Sequence, residues 1–100
     1  AVELLSKMFF KTAFIGVPYI TANGIITTNS FEEAVIKRTA IEQSDTSILL
    51  IDNSKVHDKP LHVKLATIHD FNLIITDNKI KKEFSDYCYK ENVPLIISSK

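Results

Sequence analysis

The sequence predicts an α/β fold on a mostly parallel sheet. Three observations carry that expectation. Apolar runs alternate along the chain with segments of helical periodicity. The run Ser47-Ile48-Leu49-Leu50-Ile51-Asp52 is continuously apolar rather than alternating, the pattern of a strand buried on both faces. A well-marked helix start at Ser30 lies between two such runs, as a strand-helix-strand crossover requires.

The elements follow in order. Ala1 to Met8 reads as the end of a helix, with Val2, Leu5 and Phe9 on one face. The segment has no initiator Met, no signal pattern and no cleavage site, so the chain reads as a piece of a longer protein. Thr12 to Val17 suits a buried strand, and Pro18 ends it. Tyr19 to Thr28 is rich in strand formers and is interrupted by Asn23-Gly24, a two-residue hairpin signal. Ser30 followed by Glu33 is a capping-box signature, with Phe31, Ala34, Val35 and Ile41 on one helix face. Lys37 and Arg38 point more outward, and Glu33 and Lys37 stand at i, i+4 spacing.

The helical pattern fades at Gln43-Ser44-Asp45, before the central strand at Ser47. Asn53 to Pro60 is polar and reads as loop, and Leu61 to Ile68 fits either a short helix or an extended edge. Asn72 to Thr76 is a further buried strand. Ile80, Phe84, Tyr87 and Cys88 recur at helical spacing, and Leu95 to Ile97 forms a last short strand after Pro94. Right-handed crossovers are expected to put helices on both faces of the sheet.

Composition narrows the function. One hundred residues amount to one domain or part of one. At 45% hydrophobic and 24% charged residues, the chain can build a normal core. Twelve basic residues balance twelve acidic ones, which argues against a strongly basic nucleic-acid surface. No apolar run approaches the roughly 18 residues of a membrane-spanning helix. Cys88 is the single cysteine, so no internal disulfide forms, and a reducing compartment is favoured. Two glycines leave no room for a dinucleotide fingerprint or a P-loop. The spacing of His57, His62 and His69 is not that of a metal site, and no cofactor is called for.

In an open parallel sheet, ligands bind beyond the carboxyl ends of the strands. That rule nominates Gly16 from the first strand, Asp52, Asn53, Ser54 and Lys55 from the central one, and Thr76 and Asp77 from the next. Small hydroxyls, a lysine and a helix N-terminus suit a phosphorylated or carboxylated small molecule. Each candidate also has a plainer reading. Glu33 closes a capping box, Lys37 is its solvated partner, and Asp52 caps a turn. Lys55 is a loop lysine in water, Asp77 caps the helix near Ile80, and Cys88 is core.

Five blocks of the sequence together resemble the C-terminal effector domain of DeoR-type transcriptional repressors. They are Phe14-Ile15-Gly16-Val17, Gly24 with Ile25 to Thr28, and Glu33-Ala34-x-x-Lys37-Arg38. Ser44-Asp45 with Leu49-Leu50-Ile51-Asp52-x-Ser54-Lys55 follows, and then Leu73-Ile74-Ile75-Thr76-Asp77. The resemblance implies a three-layer fold related to ribose-5-phosphate isomerase and the CoA transferases, truncated at its N-terminus. On that reading residues 1–100 are a partial effector-binding domain, without the helix-turn-helix and without the first strand and its phosphate loop. The implied effector site comprises Glu33, Lys37, Asp52, Ser54 and Lys55, with Lys55 on phosphate or a sugar oxygen. The implied protein is a cytoplasmic homo-oligomer that senses a phosphorylated sugar, performs no catalysis, and meets DNA only through the missing domain.

A fragment of a sugar-phosphate isomerase of the same fold is the alternative. Against it, the first strand ends in Gly16-Val17-Pro18, where such isomerases present acidic residues. A sheet that loses a neighbouring strand exposes unpaired backbone groups and apolar faces, so self-association or marginal stability is expected.

Overall fold

The computed structural model describes residues 9–98. The helix expected before Phe9 falls outside the described residues; Phe9 itself is exposed and precedes the first strand. Eight strands and two helices follow. They are β1 (Phe10–Gly16), β2 (Ile20–Thr21), β3 (Ile25–Thr28), α1 (Phe31–Glu42), β4 (Ser44–Leu50), β5 (Val56–His57), β6 (Val63–Thr67), β7 (Leu73–Asp77), α2 (Lys82–Lys90) and β8 (Leu95–Ser98). Single 3-10 turns lie at Asn53–Lys55 and Ile68–Asp70.

The strands form two sheets of four. The first, ordered β1-β4-β7-β8, is parallel throughout. The second, ordered β5-β2-β3-β6, pairs β2 with β3 and β3 with β6 antiparallel, and β2 with β5 parallel. The α/β class and the central place of β4 are as the sequence predicts.

The covering of the parallel sheet differs from expectation. Each new strand is added on the same side of the last, so right-handed crossovers all fall on one face. That face is the buried one: Ile15, Leu49 and Ile74 are in register across β1, β4 and β7 and join the core. The opposite face carries Phe14, Leu50 and Ile96, which are 62%, 39% and 51% exposed. The apolar run through β4 therefore marks a strand in the sheet interior, while the described residues cover one side of it. Among the described residues the helices do not lie on both faces.

Other boundaries moved for local reasons. β4 begins at Ser44, because Phe10 donates to the Gln43 carbonyl (2.9 Å) and parallel pairing with β1 starts at once. The hairpin loop has three residues rather than two. Gly24 donates to the Thr21 carbonyl at 2.9 Å and takes φ +79°, whereas Asn23 stays at negative φ. This is a tight turn closed by a left-handed glycine, not the turn with positive φ at both central residues. The ambiguous segment Leu61 to Ile68 is the edge strand β6 of the second sheet. Within the expected loop, β5 pairs with β2.

Asp77 closes β7 and caps nothing; the N-cap of α2 is Lys81. Phe84 and Cys88 are fully buried on the inner face of α2, as their spacing predicts. Burial pushes the Cys88 thiol up to about 11, which suits core packing and not nucleophilic chemistry. Phe31 departs from the expected α1 face: it is 72% exposed, while Ala34 and Ile41 are buried.

Candidate functional site

The carboxyl ends of β1 and β4 open into a cleft of about 550 Å³ beside the first turns of α1. Its apolar lining comes from Val17, Pro18, Leu50 and Ile51, and Gly16 adds backbone. Its polar lining is Glu33, Lys37, Asp52 and Lys55. Four of the five residues of the effector site implied by the resemblance thus meet in one hollow. Ser54 does not line it; its hydroxyl and its backbone N–H (2.8 Å) both donate to Asp52 Oδ1.

The chain converges here for identifiable reasons. Pro18 ends β1, and the segment after it pairs as β2 with β5, the segment after Lys55. The register Ile20 to Val56 and Thr21 to His57 ties the two exits together. Tyr19 and His57 reinforce the tie by stacking, ring centroids 3.8 Å apart and planes 6° apart. Lys55 is therefore held near Val17 and Pro18 although it lies 37 positions after Pro18 in sequence.

Helix α1 is set by its own start. The Ser30 side chain accepts from the Glu33 N–H at 3.1 Å, the first half of a capping box. The reciprocal half is absent, because the Ser30 N–H goes to Thr28 Oγ1 at 3.1 Å. The Glu33 carboxylate is left for other work. Its Oε1 accepts from the Thr28 hydroxyl at 2.5 Å, and its Oε2 pairs with Lys37 Nζ at 2.9 Å. Lys37 Nζ also donates to the Gly16 carbonyl at 2.5 Å. Lys37 is thus more than a solvated helix partner: it joins α1 to the last residue of β1.

The ionisation of the site follows. The Thr28 hydroxyl and then Lys37 hold the Glu33 carboxyl below its ordinary value. The Ser54 hydroxyl and amide do the same for Asp52, helped by the charge of Lys55. Asp52 serves as N-cap of the 3-10 turn, so its turn-capping reading is realised at the cleft itself. Among the described residues the Lys55 side chain makes no hydrogen bond or ion pair. At neutral pH the cleft holds two carboxylates, one lysine already paired and one lysine open to a ligand.

Sequence reading missed Thr28, which anchors Glu33. The signal was a strand-end threonine two residues before the N-cap, and nothing in spacing separates such a residue from an ordinary strand threonine. Arg38 is engaged elsewhere, bridging to Asp70 at 2.9 Å and Glu42 at 3.2 Å. His57 stacks, and His69 meets Glu91 at 2.9 Å. Among the described residues no group of three or more His, Cys, Asp and Glu side chains is placed to hold a metal. No described helix is long and apolar enough to cross a membrane.

A four-stranded parallel sheet with a charged cleft at its strand ends, joined by a mixed sheet, places the chain among α/β domains. The chain belongs to the DeoR C-terminal sensor domain family, whose model matches residues 1–78. It is 29% identical over 99 residues to the HTH-type transcriptional repressor GlcR of Bacillus subtilis, covering 99% of this chain and 38% of that protein. It is 27% identical over 94 residues to the L-fucose operon activator of Haemophilus influenzae, covering 94% of this chain and 37% of that protein. The chain therefore spans well under half the length of these relatives.

Proposed function

We propose that this chain is the effector-sensing part of a DeoR-type regulator of sugar metabolism and that its cleft takes a phosphorylated sugar. The observation that carries this reading is the convergence of Glu33, Lys37, Asp52 and Lys55 on one cleft at the strand ends. A cleft of this volume lies within the usual range for small-molecule sites. Lys55, without a hydrogen-bond or ion-pair partner among the described residues, meets the phosphate with charge-assisted hydrogen bonds. The free oxygen of Asp52 accepts from sugar hydroxyls, and Ser54 holds that carboxylate in place.

The relatives' names, a repressor and an operon activator, support a role in transcription control. The effector shifts a population between arrangements of a cytoplasmic homo-oligomer, and operator affinity changes through a DNA-binding part outside this chain. Sensing without conversion fits the state of Glu33. A carboxylate held below its ordinary pKa and bonded on both oxygens is a poor general base for isomerisation.

Calorimetric titration of the full-length polypeptide with a panel of sugar phosphates and their free sugars tests the proposal. An aldose–ketose interconversion assay runs in parallel. Phosphate-selective binding without turnover is expected. Turnover would replace the sensor with an isomerase, and a panel with no binder would overturn the reading.

A further inference from the structure

We propose that Glu33 is an internal anion occupying a second anion subsite at Lys37, and that an anionic ligand must displace it to gain that lysine. The proposal rests on the reading of the cleft as an effector site. Three observations carry it. First, Lys37 is not an open cation: Glu33 Oε2 lies 2.9 Å from its Nζ, inside the cleft that both residues line. Second, the pair is only partly exposed, the side chains retaining 27% and 30% of their surface, so water screens it incompletely. Third, Glu33 is held in this position by the Thr28 hydroxyl, which rules out the reciprocal capping role its sequence position suggests.

The chemistry is a competition. A phosphate entering beside Lys55 meets the Glu33 carboxylate as a like charge and Lys37 as a cation already satisfied. The phosphate gains the second lysine only if Glu33 swings away. Lys37 then also loosens its bond to the Gly16 carbonyl. Glu33 is anchored to Thr28 at the end of β3, and Gly16 ends β1 in the other sheet. Displacement therefore alters the tie between the two sheets, so the gate and the conformational signal are one contact.

The test is a double-mutant cycle in the full-length polypeptide, read by calorimetry with inorganic phosphate, fructose 6-phosphate and free fructose as probes. Glu33→Gln keeps the shape and the bond from Thr28 but removes the charge. It is expected to bind both phosphate-bearing probes about fivefold tighter than the wild type, the scale of an exposed ion pair. In the Glu33→Gln/Lys37→Met protein that gain should vanish, because the released lysine is gone. Circular dichroism of each variant reports folding, and Lys37→Met is the second variant should Glu33→Gln fold poorly. Lys37→Met alone should weaken phosphate less than Lys55→Met does, since only Lys55 is open beforehand. Phosphate binding that depends on Lys55 but is unchanged or weakened by Glu33→Gln would overturn the gate and leave the effector reading standing. Lys37→Met weakening phosphate as much as Lys55→Met would also overturn it. Absence of phosphate binding in every protein would overturn both.

Discussion

Replacing Gly24 with alanine should destabilise the protein by about 2–4 kcal/mol. Gly24 has φ +79°, where an L side chain costs about 1 kcal/mol. The added Cβ would lie 2.8 Å from Ile68 Cγ1, 3.0 Å from Cγ2 and 3.1 Å from Cδ1. Ile68 is fully buried, so it has no open space to swing into, and overpacking of this kind costs about 1–3 kcal/mol. The backbone cannot retreat either. Gly24 donates to the Thr21 carbonyl, and its own carbonyl accepts from the Ile68 N–H at 3.0 Å. A loss of this size is a large share of the about 5–15 kcal/mol typical of a domain. Equilibrium urea unfolding gives the difference, with Gly16→Ala as the control, because a Cβ there meets nothing within 4 Å. A compatible glycine gains about 0.4–1 kcal/mol on becoming alanine, so the two substitutions should differ in sign. Gly24→Ala within about 0.5 kcal/mol of wild type would refute the reasoning, since the strain at φ > 0 alone exceeds that.

Two further outcomes follow from the helix cap and from the Arg38 pair. Ser30→Ala removes the acceptor for the Glu33 N–H and should cost about 1 kcal/mol in urea unfolding, with Ser30→Asp recovering most of it; an unchanged midpoint for Ser30→Ala would count against the cap. For Asp70, burial pushes the carboxyl up, but Arg38 and the Thr67 N–H outweigh it and leave the carboxyl below its ordinary value. A carboxyl lowered on folding contributes stability above its ordinary value of 3.8, lost as pH falls through the lower folded value. Wild-type stability should therefore drop more steeply than that of Asp70→Asn between pH 5 and pH 2, and parallel curves would contradict the assignment.

The parts of the fold that were legible in the sequence are those governed by local chemistry. Ser30 caps α1, Pro18 ends β1, and Phe84 and Cys88 face the core, because capping, ring geometry and helical period act within a few residues. Of the second sheet only the β2–β3 hairpin, marked by Asn23-Gly24, was legible. Its strands β2 and β5 are two residues each, too short to show alternation, and their pairing is set by chain exits far apart in sequence. The face of the first sheet that the described residues leave uncovered was hidden for a related reason: an apolar residue such as Leu50 reads alike whether or not something covers it. In the site, the strand-end rule found Asp52 and Lys55 because it concerns topology rather than side-chain contacts. It could not foresee that Glu33 would abandon Ser30 for Thr28 and Lys37, since spacing alone fits the capping box equally well.

The most direct test of the cleft as a sugar-phosphate site is the Lys55→Ala protein, titrated with the tightest sugar phosphate of the panel and with the same sugar lacking phosphate. Losing a charge-assisted contact of about 1.5–3 kcal/mol should weaken the phosphorylated sugar tenfold or more and leave the free sugar within about twofold. Equal weakening of both, or no change in either, would contradict the account.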